Sequence, residues 1–132
     1  IVNSWKFFDD SEKAHPITEA EFIKVENIKG KLLLIGAEDD VLWNTAKYIQ
    51  RMEKRLAERP HTFEVEAAVY PYATHFVFPE GLIKIMLPVG SGLFMKMAFQ
   101  SAKKHPKECE SARMDIDRRI TAAIESWKKA AI

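Results

Sequence analysis

Lys31-Leu32-Leu33-Leu34-Ile35-Gly36-Ala37-Glu38-Asp39-Asp40-Val41-Leu42-Trp43 is the stretch whose reading decides the fold. Leu32 to Ile35 are four apolar residues in a row. Such a run suits a strand covered on both faces, which implies a parallel sheet. The strand is expected over 31–36, with Gly36 ending it. Asp39 and Asp40 then sit just beyond its carboxyl end, where open α/β sheets place their ligand chemistry.

Downstream the period changes. Leu42, Ala46, Ile49, Met52 and Leu56 recur at three- and four-residue spacing, with Lys47, Gln50, Arg51, Lys54 and Arg55 on the other face. This predicts an amphipathic helix over 44–58, capped by Asn44 or Thr45 and ended by Pro60. Thr62 to Tyr70 alternates and then turns continuously apolar, as a second strand does, and Pro71 is expected to stop it. Strand, helix and strand make one βαβ unit with parallel, right-handed topology.

The flanks are less regular. Residues 1–22 show no clean periodicity. Within them Pro16 to Glu21 predicts a short helix, with Thr18 as N-cap and Glu21 as its capping-box partner. Ile23 to Ile28 alternates, and Asn27 to Gly30 forms a lead-in turn. Tyr72 to Gly92 is expected to be a loop in which Leu82 to Leu87 could pass for a strand. A short helix follows over 93–104. Glu108 to Ala130 makes a long final helix with Ala112, Ile116, Ile120, Ala123, Ile124 and Trp127 as its buried stripe.

A chain of 132 residues suits one domain. With 47% hydrophobic and 30% charged residues it has the composition of a folded protein. A formal net charge of +1 gives no pull toward nucleic acid or an anionic membrane. No apolar run approaches the ~20 residues of a membrane helix, and no signal peptide is visible. Cys109 is the single cysteine, so a disulfide within the chain is impossible and a reducing, cytoplasmic setting is the simplest expectation. The first residue is Ile1, which suggests a chain trimmed or excerpted from something longer.

The candidate chemistry is an aspartate after one strand and a histidine, His75, after the next. A carboxylate so placed accepts a hydrogen bond from one imidazole nitrogen. It fixes the tautomer and stabilises the imidazolium formed when the other nitrogen takes a proton. This is the acid–base half of a Ser-His-Asp triad. The same aspartates also suit turn caps, and the histidine a solvated loop. His105 and Cys109, four apart, are a weak metal pair without a second pair, so no metal or cofactor is expected. His15 and His61 are expected at the surface, and Cys109 as helix filler.

Gly36 to Trp43 is similar to the acidic-turn segment of the acyl-CoA thioester hydrolase and bile acid-CoA:amino acid N-acyltransferase family. Tyr70-Pro71-Tyr72-Ala73-Thr74-His75-Phe76-Val77-Phe78-Pro79 resembles that family's tyrosine–proline to histidine segment. Val25 to Gly30 matches its lead-in, and the closing helix with Trp127 its C-terminal helix. The resemblance covers residues 23–132, with 1–22 as a lead-in segment. It implies the C-terminal portion of a three-layer α/β-hydrolase with an incomplete sheet. It also implies a CoA thioester as substrate, acyl transfer through an acyl-enzyme, and His75 as catalytic base.

The acid is less sharply defined. Counting back from Trp43 gives Asp40, and counting forward from Gly36 gives Asp39. Asp40 is preferred, with Asp39 as the alternative, because an apolar residue three positions on packs as the helix begins. Thr74 stands where the family usually has glycine, and its β-branch restricts the local backbone. The nucleophile elbow G-x-S-x-G, or its cysteine variant, is absent from this chain. Gly90-Ser91-Gly92 follows the histidine and reads as a loop.

The chain is therefore expected to carry acid and base without the nucleophile, and to be inactive alone. The missing N-terminal part of the same domain, or self-association through open sheet edges, is its expected partner. Two alternatives stand beside this: a carboxylic-ester or peptide hydrolase of the same fold, and a non-catalytic α/β interaction module.

Overall fold

In a computed structural model, which describes residues 4–87 and 90–130, the leucine run becomes strand β1, Leu32–Asp39. It pairs in parallel with β2, Val65–Thr74, as the whole of the sheet among the described residues. Between them runs helix α2, Thr45–Glu58. The other helices are α1 (Trp5–Ala14), α3 (Glu80–Met86), α4 (Ser91–Ala98), α5 (Gln100–Lys104) and α6 (Pro106–Ala130).

Side chains alternate along β1. Ala37 packs with Ala73, Ala112 and Ile116, with Ile35 and Tyr70 against them, so this face meets α6. Gly36 points the other way, where an added Cβ would lie 3.0 Å from Ile49 Cγ1 of α2. Helix, sheet and helix thus form three layers around an incomplete parallel sheet, the arrangement that the resemblance implies.

Three strand ends differ from expectation, two of them for evident local reasons. Gly36 does not stop β1; it lets α2 approach the strand closely, one of the uses of a strand glycine. Pro71 does not stop β2. Ala37 pairs with Tyr70 and Asp39 with Thr74, so two steps along β1 match four along β2. Pro71 falls within this irregularity, where its missing N–H costs no ladder bond. At the other end β2 begins at Val65 rather than Thr62.

The flanks bring further corrections. No helix forms over Pro16–Glu21, although Thr18 N–H and Oγ both donate to Glu21, at 2.8 and 2.6 Å; the motif closes a turn instead. The preceding residues form α1, which buries none of its side chains. Its Asp9 and Glu12 pair with Lys47 and Arg51 of α2, so a charge pattern rather than an apolar stripe docks it. Ile23 to Ile28 contains a 3-10 turn, Val25–Asn27.

The expected loop over 72–92 includes α3, fixed to α6 where the Glu80 N–H donates to Asp117 at 2.8 Å and Arg113 meets Glu80 at 3.4 Å. Within the expected loop, Pro88 and Val89 lie outside the described residues. Gly90-Ser91-Gly92 opens α4 rather than a loop. The helix expected over 93–104 is split at Phe99, whose extended backbone turns its ring into the core. In α6 only the first half of the stripe is buried, through Cys109, Ala112 and Ile116; Ile124 and Trp127 are about 40% exposed. The two-stranded sheet is too narrow to cover a 25-residue helix.

Arg55 ties the lead-in to α2 through Glu26, at 2.6 Å, and Glu19, at 2.9 Å. Pairing with Arg55 holds both carboxyls well below the usual range, to about 2. A depressed carboxyl stabilises the fold above its unfolded pKa, near 4.5, and loses that contribution as pH falls toward 2. Thermal denaturation across pH should therefore show Tm declining below about pH 4.5, and less steeply in Arg55→Gln. Equal steepness in the two proteins would contradict this role for Arg55.

Candidate active site

The acid turn leaves β1 at Asp39 and is fixed on every side. Asp40 N–H donates to the Ala37 carbonyl at 3.4 Å. Thr45, the first residue of α2, bonds both backbone groups of Ala37 through its hydroxyl, at 3.1 Å each. Asn44 caps the same helix by accepting from Lys47 N–H at 3.2 Å. Just before α1, Ser4 donates its N–H and its hydroxyl to the Val41 carbonyl, at 2.8 and 3.0 Å.

Within this frame the Asp40 side chain is 1% exposed. Its Oδ1 accepts from the backbone N–H groups of Leu42 and Trp43, at 3.0 and 3.1 Å. His75 Nδ1 lies 3.1 Å from Oδ1 and 3.2 Å from Oδ2. A carboxylate has no hydrogen to donate, so Nδ1 carries it and Nε2 is the free basic nitrogen. The backbone bonds aim the carboxylate before the imidazole arrives, and they offset the cost of burying it.

His75 follows the last residue of β2. Thr74 before it is buried and extended, and no non-glycine residue among those described takes a positive φ. A β-branched side chain fits such backbone, and its hydroxyl accepts the Phe76 N–H at 3.3 Å. Three rings stand nearly perpendicular to the imidazole: Trp43 at 5.3 Å, Phe76 at 6.2 Å and Phe78 at 6.5 Å. They limit rotation of the ring, which keeps 20% of its side-chain surface open.

The two aspartates have separate partners. Asp39 turns away from the histidine and accepts the Ser101 N–H at 3.1 Å, in the first turn of α5. Cys109 is buried among Val41, Ile83, Met95, Phe99 and Ala102, and burial pushes its thiol up. His15 and His61 are exposed, and His105 stacks on Tyr72 at 4.5 Å. Among the described residues no cluster of three or more His, Cys, Asp or Glu side chains could hold a metal. No helix among them is long and apolar enough to cross a membrane.

Sequence reasoning missed the Ser4 clamp, since nothing local links residue 4 to residue 41. It missed the Trp43 edge contact as well, having treated that residue only as packing for the helix start.

A carboxylate just past one parallel strand is thus hydrogen-bonded to a histidine just past the next. Residues 4–80, more than half the chain, match the family described as BAAT / acyl-CoA thioester hydrolase, C-terminal; the chain belongs to that family. The match takes in α1 and both segments of the site, and stops at Glu80. No curated protein and no solved structure matches the chain.

Nitrogen NMR of His75 tests the pair directly. Neutral His75 should be the Nδ1–H tautomer, and Asp40→Asn should weaken that preference. A dominant Nε2–H form in the unsubstituted protein would contradict the geometry described here.

Proposed function

We propose that this chain carries the acid–base half of a catalytic triad that transfers an acyl group from a CoA thioester. His75 is the base and Asp40 the acid that orients it; Asp39 has a structural role. The hydrogen bonds from His75 Nδ1 to a buried, doubly braced Asp40 carboxylate support this most strongly. The nucleophile, a serine or cysteine on a strand-to-helix elbow, would come from the N-terminal part of the same domain.

In the first half-reaction Nε2 takes the nucleophile's proton as its oxygen or sulfur attacks the thioester carbonyl. The tetrahedral adduct then collapses, the carbon–sulfur bond of the substrate breaks, and Nε2–H protonates the departing CoA thiolate. In the second, Nε2 deprotonates water or an amine attacking the acyl-enzyme, and returns that proton to the nucleophile. Asp40 keeps its charge throughout and stabilises the imidazolium. The lone buried thiol of Cys109 fits a cytoplasmic setting.

The same pair would serve a carboxylic-ester hydrolase, and the family match is what favours the thioester. Turnover by the full-length protein on acyl-CoA and on a simple aryl ester separates the two. His75→Gln should lower kcat by roughly 10⁴–10⁶-fold, and Asp40→Asn by roughly 10³–10⁴-fold. Asp39→Asn should change it by less than about tenfold, since Asp39 makes no bond to the imidazole. Residues 1–132 alone should show no turnover. Equal losses from Asp39→Asn and Asp40→Asn, or a preference for the aryl ester, would count against the proposal.

A further inference from the structure

We propose that a cavity beside the acid turn binds the phosphates of the CoA thioester; this rests on the acyl-CoA reading above and deepens it. The cavity has a volume of about 600 Å³ and is lined by Asp39, Val41, Met97, Lys96, Lys103 and Lys104, among others. Asp39 and Val41 flank the triad acid in the chain, so the cavity adjoins the acid turn.

Its charge is unbalanced. Lys47, Arg55, Arg113 and Arg119 are tied to carboxylates, whereas no described carboxylate pairs with Lys96, Lys103 or Lys104. The carboxylate in the wall, Asp39, already accepts the Ser101 N–H. Three lysines against one committed carboxylate in the lining suit a ligand with several negative charges. Lysine binds phosphate as a compact point charge and needs no fixed fork geometry.

The position also fits the substrate. The pantetheine arm of a CoA thioester separates its phosphates from the reacting carbonyl. The phosphates therefore need a site beside the acid–base pair rather than in it. Met97 and Ala98 add apolar surface to the cavity, along which such an arm could run. The three lysines lie on α4 and α5, outside residues 4–80, so the family match does not assign them.

Calorimetric titration of the full-length protein tests this with three probes: CoA, pantetheine and inorganic phosphate. The test variant is Lys96→Ala/Lys103→Ala/Lys104→Ala. All three side chains are exposed, so the fold should persist, as circular dichroism would check. CoA binding should weaken by about ten- to a hundredfold and lose much of its salt dependence, with pantetheine binding unchanged. The triple Lys→Arg variant should retain most of the affinity. Unchanged CoA affinity in the alanine variant would overturn the lysine site and leave the acyl-CoA reading standing. Failure of the unsubstituted protein to bind CoA would overturn both. Inorganic phosphate bound as tightly as CoA would show a plain anion site and overturn the assignment to the thioester.

Discussion

A buried carboxylate needs donors, and the arrangement of this molecule follows from where Asp40 finds them. Two come from the backbone of its own turn and one from His75, which lies on the far side of a helix and a strand. Only a parallel pairing of β1 with β2 brings both strands' carboxyl ends to the same edge. The long crossover through α2 is the structural cost of that pairing. The irregularity after Ala37 and Tyr70 then lengthens the β2 side by two residues before Thr74.

The surroundings divide into parts that hold the pair and parts that hold the fold. Thr45 of α2 and Ser4, just before α1, pin the turn, and Trp43, Phe76 and Phe78 limit the imidazole. Beneath the turn, Val41 joins a core with Ile83, Met95, Phe99 and Cys109, so α3 to α6 support the loop from below. A rigid frame of this kind suits general base catalysis, where a small misplacement of the acceptor nitrogen slows proton transfer. The family match over residues 4–80 takes in both segments of this frame.

Much of the frame was legible in the sequence because its signals are local. The apolar run at 32–35, the helical period from Leu42 and the alternation from Phe63 each carry their own period, and they yield β1, α2 and β2. The positions of Asp40 and His75 at the strand ends follow from those elements. What was not legible depends on partners distant in sequence. Helix α1 docks by ion pairs, so its apolar residues show no stripe. Pro71 is tolerated because of the register of another strand. The exposed end of α6 reflects the width of the sheet, which no period within the helix encodes. The choice between Asp39 and Asp40 is of the same kind, since it turns on which carboxylate Ser101 captures.

If Asp40 acts only through His75, the two must behave as one unit, and a double-mutant cycle on kcat of the full-length protein measures that. Asp40→Asn added to His75→Gln should cost almost nothing beyond His75→Gln alone, a strong departure from additivity. Losses that simply multiply would mean that the carboxylate and the imidazole work independently, and would contradict the coupling on which this site is built.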